Sequence, residues 1–215
     1  EDKNGKKYSS RVLIQFRTDE IVNTLNTKVV GEFSASLNLY ATEHSNLAIN
    51  QILEVYPLAE SWDNGTGRRS NNPITSNGCS WKFRDNNTEQ TTWTLAGIQG
   101  ATSSFSSSIQ IPGGGIWYTG SGFETSRSYN YGDEADLSFD VTSPIKMFYS
   151  HSEITTTYPE AIENKGFILK RPESQEFNRI DDGTLNYFGV DTHTIYPPHL
   201  DISWDDSSYD TGSAT

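Results

Sequence analysis

The stretch that decides the fold is residues 52–84, ILEVYPLAESWDNGTGRRSNNPITSNGCSWKFR. It begins with β-forming residues that end at Pro57, and it closes on a second apolar and aromatic run, Cys79 to Phe83. Between the two runs lies a long loop rich in Gly, Asn, Ser and Arg, flanked by Trp62 and Trp81. Because tryptophan is costly to leave in water, we expect both rings to pack at a core edge and to hold this loop in place.

Two other segments alternate apolar and polar residues with the period of a β-strand. They are residues 33–41 (FSASLNLYA) and residues 135–141 (ADLSFDV). Helical signals are confined to residues 18–25 and 143–149, each suited to a short helical turn. Short strands separated by many turn residues predict an all-β chain, folded as an antiparallel jelly-roll sandwich with one or two short helical turns.

The alternation also predicts which side chains form the core. On the first strand, residues 8–16, we expect Val12 to face inward and Leu13 to face the opposite way. Further strands are expected over residues 49–56, 91–98, 116–122, 165–170, 185–190 and 200–204. The predicted core consists of Val12, Ile14, Phe16, Leu37, Leu39, Val55, Leu137, Phe139, Phe167, Leu169 and Ile202.

The length of 215 residues fits one sandwich domain. We expect a flexible lead-in over the charged residues 1–7 and a single jelly-roll domain over residues 8–204. Residues 205–215 are acidic and polar, which predicts a tail or a linker to further sequence.

The formal net charge of the chain is −12. Nucleic-acid binding needs a basic surface that replaces phosphate counterions, so this charge argues against it. No apolar run is long enough to cross a bilayer, which predicts no membrane insertion. The single cysteine, Cys79, cannot form an internal disulfide and lies in an apolar run, so we expect a buried thiol.

The sequence contains no motif for catalysis. The segment Gly120–Ser121–Gly122 is not a nucleophile elbow, and the four histidines lie in polar or turn contexts. The spacings that mark zinc sites and phosphate-binding loops are also missing. We therefore predict that the chain is not an enzyme.

Calcium is the one cofactor that the sequence leaves open. It binds oxygen ligands, often Asp side chains and backbone carbonyls in loops. Weak candidate ligands are Asp181, Asp182, Asp205 and Asp206, and the segment Asp63–Asn64–Gly65 has a similar composition. None of these has the spacing of an EF-hand, and Asp-Gly and Asn-Gly pairs also form ordinary turns.

A group of aromatic and polar residues has the composition of a carbohydrate-binding site. Aromatic faces stack on pyranose rings, while Asp, Asn and Arg bind sugar hydroxyls. The alternative is that the tryptophans pack beneath the long loop. Trp117 and Tyr118 are neighbours on a predicted strand, so only one of them can point inward. The group consists of Trp62, Trp81, Trp93, Trp117, Tyr118, Asp63, Arg68, Arg69 and Asn71.

Seven segments of the chain follow one another in a characteristic order. They are Ser9–Phe16, Ala35–Thr42, Leu53–Trp62, Ser80–Arg84, Phe139–Thr142, Gly166–Lys170 and Pro198–Ser203. This order resembles the jelly-roll modules known as DNRLRE domains, which occur in bacterial surface and secreted proteins. One departure is Gly189–Val190–Asp191, where those domains usually carry a Ser–Arg/Asp pair before the final strand.

Three runs resemble a second group of proteins. The runs are LEVYPLAESWDNGTGR (53–68), GIWYTGSG (115–122) and DTHTIYPPHLDISWDD (191–206). They are similar to segments of structural proteins of tailed bacteriophages, especially marine ones related to the T4 group. The resemblance implies a non-enzymatic virion component of the fibre, neck, tail or capsid surface. Such a component contacts other virion proteins in multiple copies, is assembled in the host cytoplasm and is carried on the particle. The alternative function is a carbohydrate-binding adhesin module that recognises host surface glycans.

The adjacent residues Arg68 and Arg69 are unusual in a chain of this net charge. Arginine suits bidentate contact with carboxylates. We expect Trp62 and Trp81 to clamp residues 63–80 against the sandwich, so that the loop presents both arginines to an acidic partner surface. The alternative is that both arginines are solvated.

Overall fold

The structure is a computed structural model that describes residues 9–45, 50–68, 72–73, 75–87, 90–95, 97–103, 113–130, 132–133, 136–153, 161–177, 183–192 and 194–207. Short strands predominate among them, and every strand pairing is antiparallel. The β-rich, antiparallel class predicted from the sequence is therefore confirmed. In chain order the elements are β1 (Val12–Ile14), α1 (Thr18–Thr27), β2 (Phe33–Leu39), β3 (Ala41–Ser45), β4 (Asn50–Pro57), β5 (Phe83–Asp85), β6 (Thr91–Thr92), β7 (Ala101–Ser103), β8 (Ile116–Tyr118), β9 (Thr125–Asn130), β10 (Leu137–Asp140), α2 (Thr142–Glu153), β11 (Phe167–Lys170), α3 (Glu173–Glu176), β12 (Thr184–Tyr187), a 3-10 helix (Val190–Thr192) and β13 (His199–Trp204).

The strands form two main sheets. The first sheet has the order β1-β11-β4-β9, and the second has the order β10-β2-β13. β12 pairs with β3, directly beyond β2, and the amide of Phe188 donates to the carbonyl of Tyr40 at 2.9 Å. β12 and β13 therefore follow one another along the same edge of the β2–β3 segment. The hairpins β5-β6 and β7-β8 belong to the long connection between β4 and β9.

The main core lies between the two sheets. β2 buries every second residue from Phe33 to Leu39, while the polar residues between them point outward. Every predicted core residue belongs to this core except Val12, Ile14, Phe16 and Ile202, and the last three pack against it partly buried. Its buried members are Ile21, Leu25, Phe33, Ala35, Leu37, Leu39, Leu53, Val55, Leu137, Phe139, Val141, Ile145, Phe148, Phe167 and Leu169.

The prediction that Val12 lies in the core is wrong. Val12 is 41 % exposed, although Ile14, two residues further along β1, packs against the core. β1 is an edge strand of the first sheet, so among the described strands only β11 lies beside it. Alternation predicts the face of a sheet on which a residue lies, but it does not reveal whether the strand stands at an edge.

The helices are longer than the single turns that were predicted. α1 has 10 residues and α2 has 12. In α2, Ile145 and Phe148 are spaced three residues apart and are both buried, so the helix packs one apolar face on the core. The side chain of Asp140 accepts a hydrogen bond from the amide of Thr142 at 2.9 Å, which satisfies a donor at the start of α2. Among the described helices, none combines the length and apolar composition that crossing a bilayer requires.

Two strands differ from the sequence prediction. The strand expected over residues 91–98 is confined to Thr91–Thr92. β9, with the sequence TSRSYN, was not predicted, because its residues are mostly small and polar and carry no apolar alternation. β9 nevertheless pairs with β4 over six residues, so its neighbour in the sheet and not its own sequence determines its conformation.

Candidate functional site

A second apolar cluster covers the outer face of the first sheet. Because neighbours on a strand point to opposite faces, Tyr56 lies on the outer face of β4 while Val55 enters the main core. The chain between β4 and β8 returns over this outer face, where Leu58 forms a β-bridge with Trp117. The middle of the first sheet is therefore buried on both faces. The buried members of the cluster are Tyr56, Leu58, Trp117 and Ile168, with Leu13 and Trp62 packed against them.

A buried ion pair joins the residue before β1 to α3 beside this cluster. The guanidinium of Arg11 donates to both carboxylate oxygens of Glu176, from Nε at 2.7 Å and from Nη2 at 2.6 Å. The two side chains are only 4 % and 3 % exposed. Nη1 of Arg11 also donates to the carbonyl of Gly114 at 2.7 Å. The guanidinium carbon lies 4.5 Å from the ring centre of Trp81 and 5.1 Å from that of Trp117, within the range of cation–π attraction.

A second ion pair also lies beside Trp117. Nζ of Lys170 donates to Oε2 of Glu54 at 2.9 Å and to the carbonyl of Arg171 at 2.9 Å. The same nitrogen lies 5.3 Å from the ring centre of Trp117 and 5.7 Å from that of Tyr56. Burial raises the pKa of the Tyr56 hydroxyl, and the carboxylates nearby raise it further. We call Arg11, Glu54, Lys170 and Glu176 the charged cluster; its four charges are neutralised by one another and enclosed by aromatic rings.

Gly114 allows Trp81 to lie against Arg11. The φ angle of Gly114 is +71°, and a Cβ built there would lie 2.8 Å from Nη1 of Arg11 and 2.8 Å from the ring of Trp81. Its amide donates to the carbonyl of Trp81 at 2.6 Å. A side chain at position 114 would therefore separate the ring from the guanidinium.

Two tryptophans, Trp62 at the start of the long loop and Trp93 beyond its end, are held by hydrogen bonds from their ring nitrogens. Nε1 of Trp62 donates to the carbonyl of Lys165 at 3.1 Å, and Nε1 of Trp93 donates to the carbonyl of Ser80 at 3.0 Å. Trp93 is buried, whereas Trp62 is partly buried. The ring of Trp81 lies against Arg11 and meets Phe177 edge-on, so all three rings make contacts within the chain.

The base of the loop is held by its own hydrogen bonds. The amide of Cys79 donates to the carbonyl of Asp63 at 2.7 Å, and Oδ1 of Asp63 accepts from the amide of Gly65. The amide of Thr66 donates to Oδ1 of Asn77 at 3.0 Å, across the loop. Burial raises the pKa of the Cys79 thiol, with a smaller contribution from Asp63. The two arms of the loop therefore run side by side from residue 63 to residue 66.

One of the two arginines proposed for partner contact lies in the described part of this loop, beyond its hydrogen-bonded base. Arg68 is exposed. Arg69 and Asn71 lie outside the described residues. On the neighbouring hairpin, Trp117 is buried, while Tyr118 is partly exposed and stacks on Phe123 with the ring centres 5.5 Å apart. One ring of that adjacent pair thus points inward and the other does not.

The candidate calcium ligands are not brought together by the residues the structure describes. Asp181 and Asp182 lie outside them. Asp205 and Asp206 are exposed. Oδ1 of Asp205 accepts hydrogen bonds from the hydroxyl and from the amide of Ser207, which hold the pKa of that carboxyl below its usual range. Within the described ranges, no three His, Cys, Asp or Glu side chains are grouped closely enough to hold a metal ion. Calcium stays a prediction from composition.

An apolar groove runs between the exposed edge of β1 and the segment 185–191. Its volume is about 780 Å³. Trp62 and Asn64, at the base of the long loop, also line it. Val190 is 84 % exposed beside it. The sequence did not indicate this groove, because its walls come from segments far apart in the chain. We define the apolar groove by Val12, Leu13, Trp62, Leu185, Phe188 and Val190.

Comparison of the chain with protein-family models, with curated proteins and with solved structures found no match.

Proposed function

We propose that this chain is a non-catalytic structural module of a tailed-bacteriophage virion that acts through protein–protein contacts. The sequence supports the proposal through the resemblance of segments between Ser9 and Asp206 to structural proteins of such phages. The geometry supports it through the apolar groove, which offers a surface to another protein. The module is carried on the particle in multiple copies, after assembly in the host cytoplasm.

The exposed apolar groove is the observation that carries the proposal. Val12 and Val190 line it, and their side chains are 41 % and 84 % exposed, whereas valine is usually buried in a folded protein. Of the two charged residues in its wall, Arg11 is already paired with Glu176, and the other is Asp191. Contiguous apolar surface of this kind marks interaction sites. A partner that covered Val190 would gain about 1.5–3 kcal/mol from that side chain.

The finer architecture that we propose is a jelly roll. Its support is the way the chain alternates between the sheets: β1, β4 and β11 belong to the first, and β2, β10 and β13 to the second. Apart from β4 and β9, which pair directly, each main strand lies in the opposite sheet from the main strand before it. The connections between them therefore pass from one sheet to the other. Crossing connections of this kind are typical of jelly rolls.

A second contact is proposed for the tip of the long loop. The hydrogen bonds between Asp63, Thr66, Asn77 and Cys79 hold its base. Arg68 is exposed near the tip and carries positive charge in a chain whose net charge is −12. An acidic surface on a neighbouring virion protein would bind it by charge-assisted hydrogen bonds.

The experiment that tests the proposal is incorporation of groove variants into phage particles. A charge placed in a desolvated contact weakens binding strongly, so Val190→Asp should lower the number of copies per purified particle at least about tenfold. Leu95→Asp is the matched control, because Leu95 is 41 % exposed and does not line the groove. Copies per particle are counted by quantitative mass spectrometry, and urea unfolding of each isolated variant shows that folding is unchanged.

Equal incorporation of Val190→Asp and the parent chain would show that the groove is not a virion contact. The double variant Arg68→Ala with Arg69→Ala tests the loop tip separately. It should leave the free energy of unfolding within about 0.5 kcal/mol of the parent, as surface changes do, and lower incorporation at physiological salt. If the double variant is incorporated as well as the parent chain, the loop tip is not a contact and the loop is a solvated spacer.

A further inference from the structure

A group of aromatic rings stands at one end of the outer face of the second sheet. The ring centre of Tyr196 lies 5.3 Å from that of Tyr40, and the ring of His199 stacks on Tyr40 at 5.4 Å with a 27° angle between planes. Tyr196 is 48 % exposed. We call Tyr40, Tyr196 and His199 the aromatic ledge. Its rings belong to neither apolar cluster of the described chain, and Tyr196 also lies with its ring centre 6.2 Å from that of Phe188, in the wall of the apolar groove.

A polar strip continues from the ledge along the same face. His199 on β13 lies opposite Asn38 on β2, and both point away from the core because Leu37 and Leu39 point into it. Nδ2 of Asn38 donates to Oδ2 of Asp201 at 2.9 Å. Nε2 of His199 lies 3.4 Å from the same oxygen. The carboxylate is therefore oriented by two neighbours while its side chain remains exposed.

We propose that the aromatic ledge and the polar strip bind a pyranose ring. The C–H face of the sugar stacks on the exposed ring of Tyr196, and neighbouring hydroxyls donate to Asp201 and accept from Asn38. A sugar ring presents both an apolar face and hydroxyls at its rim, so it matches an aromatic surface that continues into planar polar side chains. This site is distinct from the aromatic and polar residues around Trp62 and Trp117 that the sequence indicated.

The charge of the site restricts the class of sugar. Asp201 is a carboxylate on a chain whose net charge is −12, so sulfated sugars, uronic acids and phosphosugars are repelled. A neutral pyranose or an amino sugar meets no such repulsion. The inference goes beyond the structural role proposed above and does not depend on it, because Asn38, Tyr196 and Asp201 do not line the apolar groove.

The expected affinity is low. A single sugar unit has about a dozen non-hydrogen atoms and touches one ring and two polar side chains, which corresponds to a Kd in roughly the millimolar range. Several copies on one particle would raise the effective affinity without any new contact, provided that the spacing of the glycans matches that of the copies.

The test is a titration of the purified chain with single sugars. The probes are methyl glycosides of glucose, mannose and galactose, together with glucosamine and N-acetylglucosamine. Binding is followed by saturation-transfer difference NMR up to about 50 mM, a limit that covers millimolar Kd values. We expect saturable binding of at least one probe. Tyr196→Ala and Asp201→Ala should each weaken that binding at least about fivefold, the loss that follows from removing one of very few contacts.

Two matched variants separate the ligand contacts from general effects. Tyr196→Phe keeps the stacking ring and should keep the Kd within about twofold, and Asp206→Ala removes an exposed carboxylate just beyond β13 and should leave it unchanged. All three positions are exposed, so the thermal unfolding temperature should not change in any of the four variants. The proposal is overturned if no probe binds saturably, or if binding survives both Tyr196→Ala and Asp201→Ala. It is also overturned if Tyr196→Ala lowers incorporation into particles while no sugar binds, because the ring would then be a protein contact.

Discussion

Replacement of Arg11 tests whether the charged cluster holds β1 and α3 together. The guanidinium makes a bidentate contact with Glu176, donates to the carbonyl of Gly114 and lies against two tryptophan rings. Arg11→Met removes the charge and leaves the carboxylate of Glu176 buried without its partner. Breaking a buried ion pair from one side costs about 3–5 kcal/mol, because the remaining charge is desolvated and unpaired.

The magnitude is large relative to the stability of a domain, which is about 5–15 kcal/mol. With a urea m-value of about 2–3 kcal/mol/M, the midpoint of unfolding should fall by roughly 1–2 M. The matched control is Arg17→Met. Arg17 is also paired, with Asp19 and Glu20, but its side chain is 71 % exposed, so its loss should cost no more than about 1 kcal/mol.

A double-mutant cycle separates the ion pair from the lost packing. Glu176→Met alone should be as costly as Arg11→Met, whereas the double variant should cost clearly less than the sum, since no charge is then left unpaired. Urea unfolding followed by tryptophan fluorescence measures all three. The reasoning is refuted if Arg11→Met costs no more than Arg17→Met, or if the two single changes add without coupling.

Two further predictions concern the same structure. Gly114→Ala should be more destabilising than Gly97→Ala in urea unfolding: both glycines have positive φ, but a Cβ at position 114 meets Arg11 and Trp81, whereas at position 97 it meets open space. Equal losses would show that backbone strain alone determines the cost. Burial raises the pKa of the Tyr187 hydroxyl, which finds no hydrogen-bond partner among the described residues. Because the unfolded tyrosine then ionises first, this contribution is fully present below about pH 10 and is lost as pH rises further, by about 1.4 kcal/mol at pH 11. Tyr187→Phe should be nearly neutral at pH 7 and should lose less stability between about pH 8 and pH 11 than the parent. The same loss in both proteins would exclude Tyr187 as its source.

The positions of most core residues could be predicted from the sequence. Leu37, Leu39, Leu137 and Phe139 alternate with polar residues, and an alternation of period two can bury its apolar members only on one face of a sheet. Alternation does not predict the order of strands in the sheet. Val12 follows the same pattern and is nevertheless exposed, because its exposure depends on whether another strand lies beside β1.

The sequence by itself determined the class of fold, through local β-propensity and through side-chain alternation. It also indicated that the tryptophans at the ends of the long loop pack against the domain. Only the tertiary structure decided which charges are buried together, since Arg11 and Glu176 are 165 residues apart and their pairing depends on how β1 and α3 meet. The aromatic ledge was also decided in three dimensions. Tyr40 and His199 carry no pattern of their own, and they stack because β13 pairs with β2 in a register that places both at the same end of one sheet face.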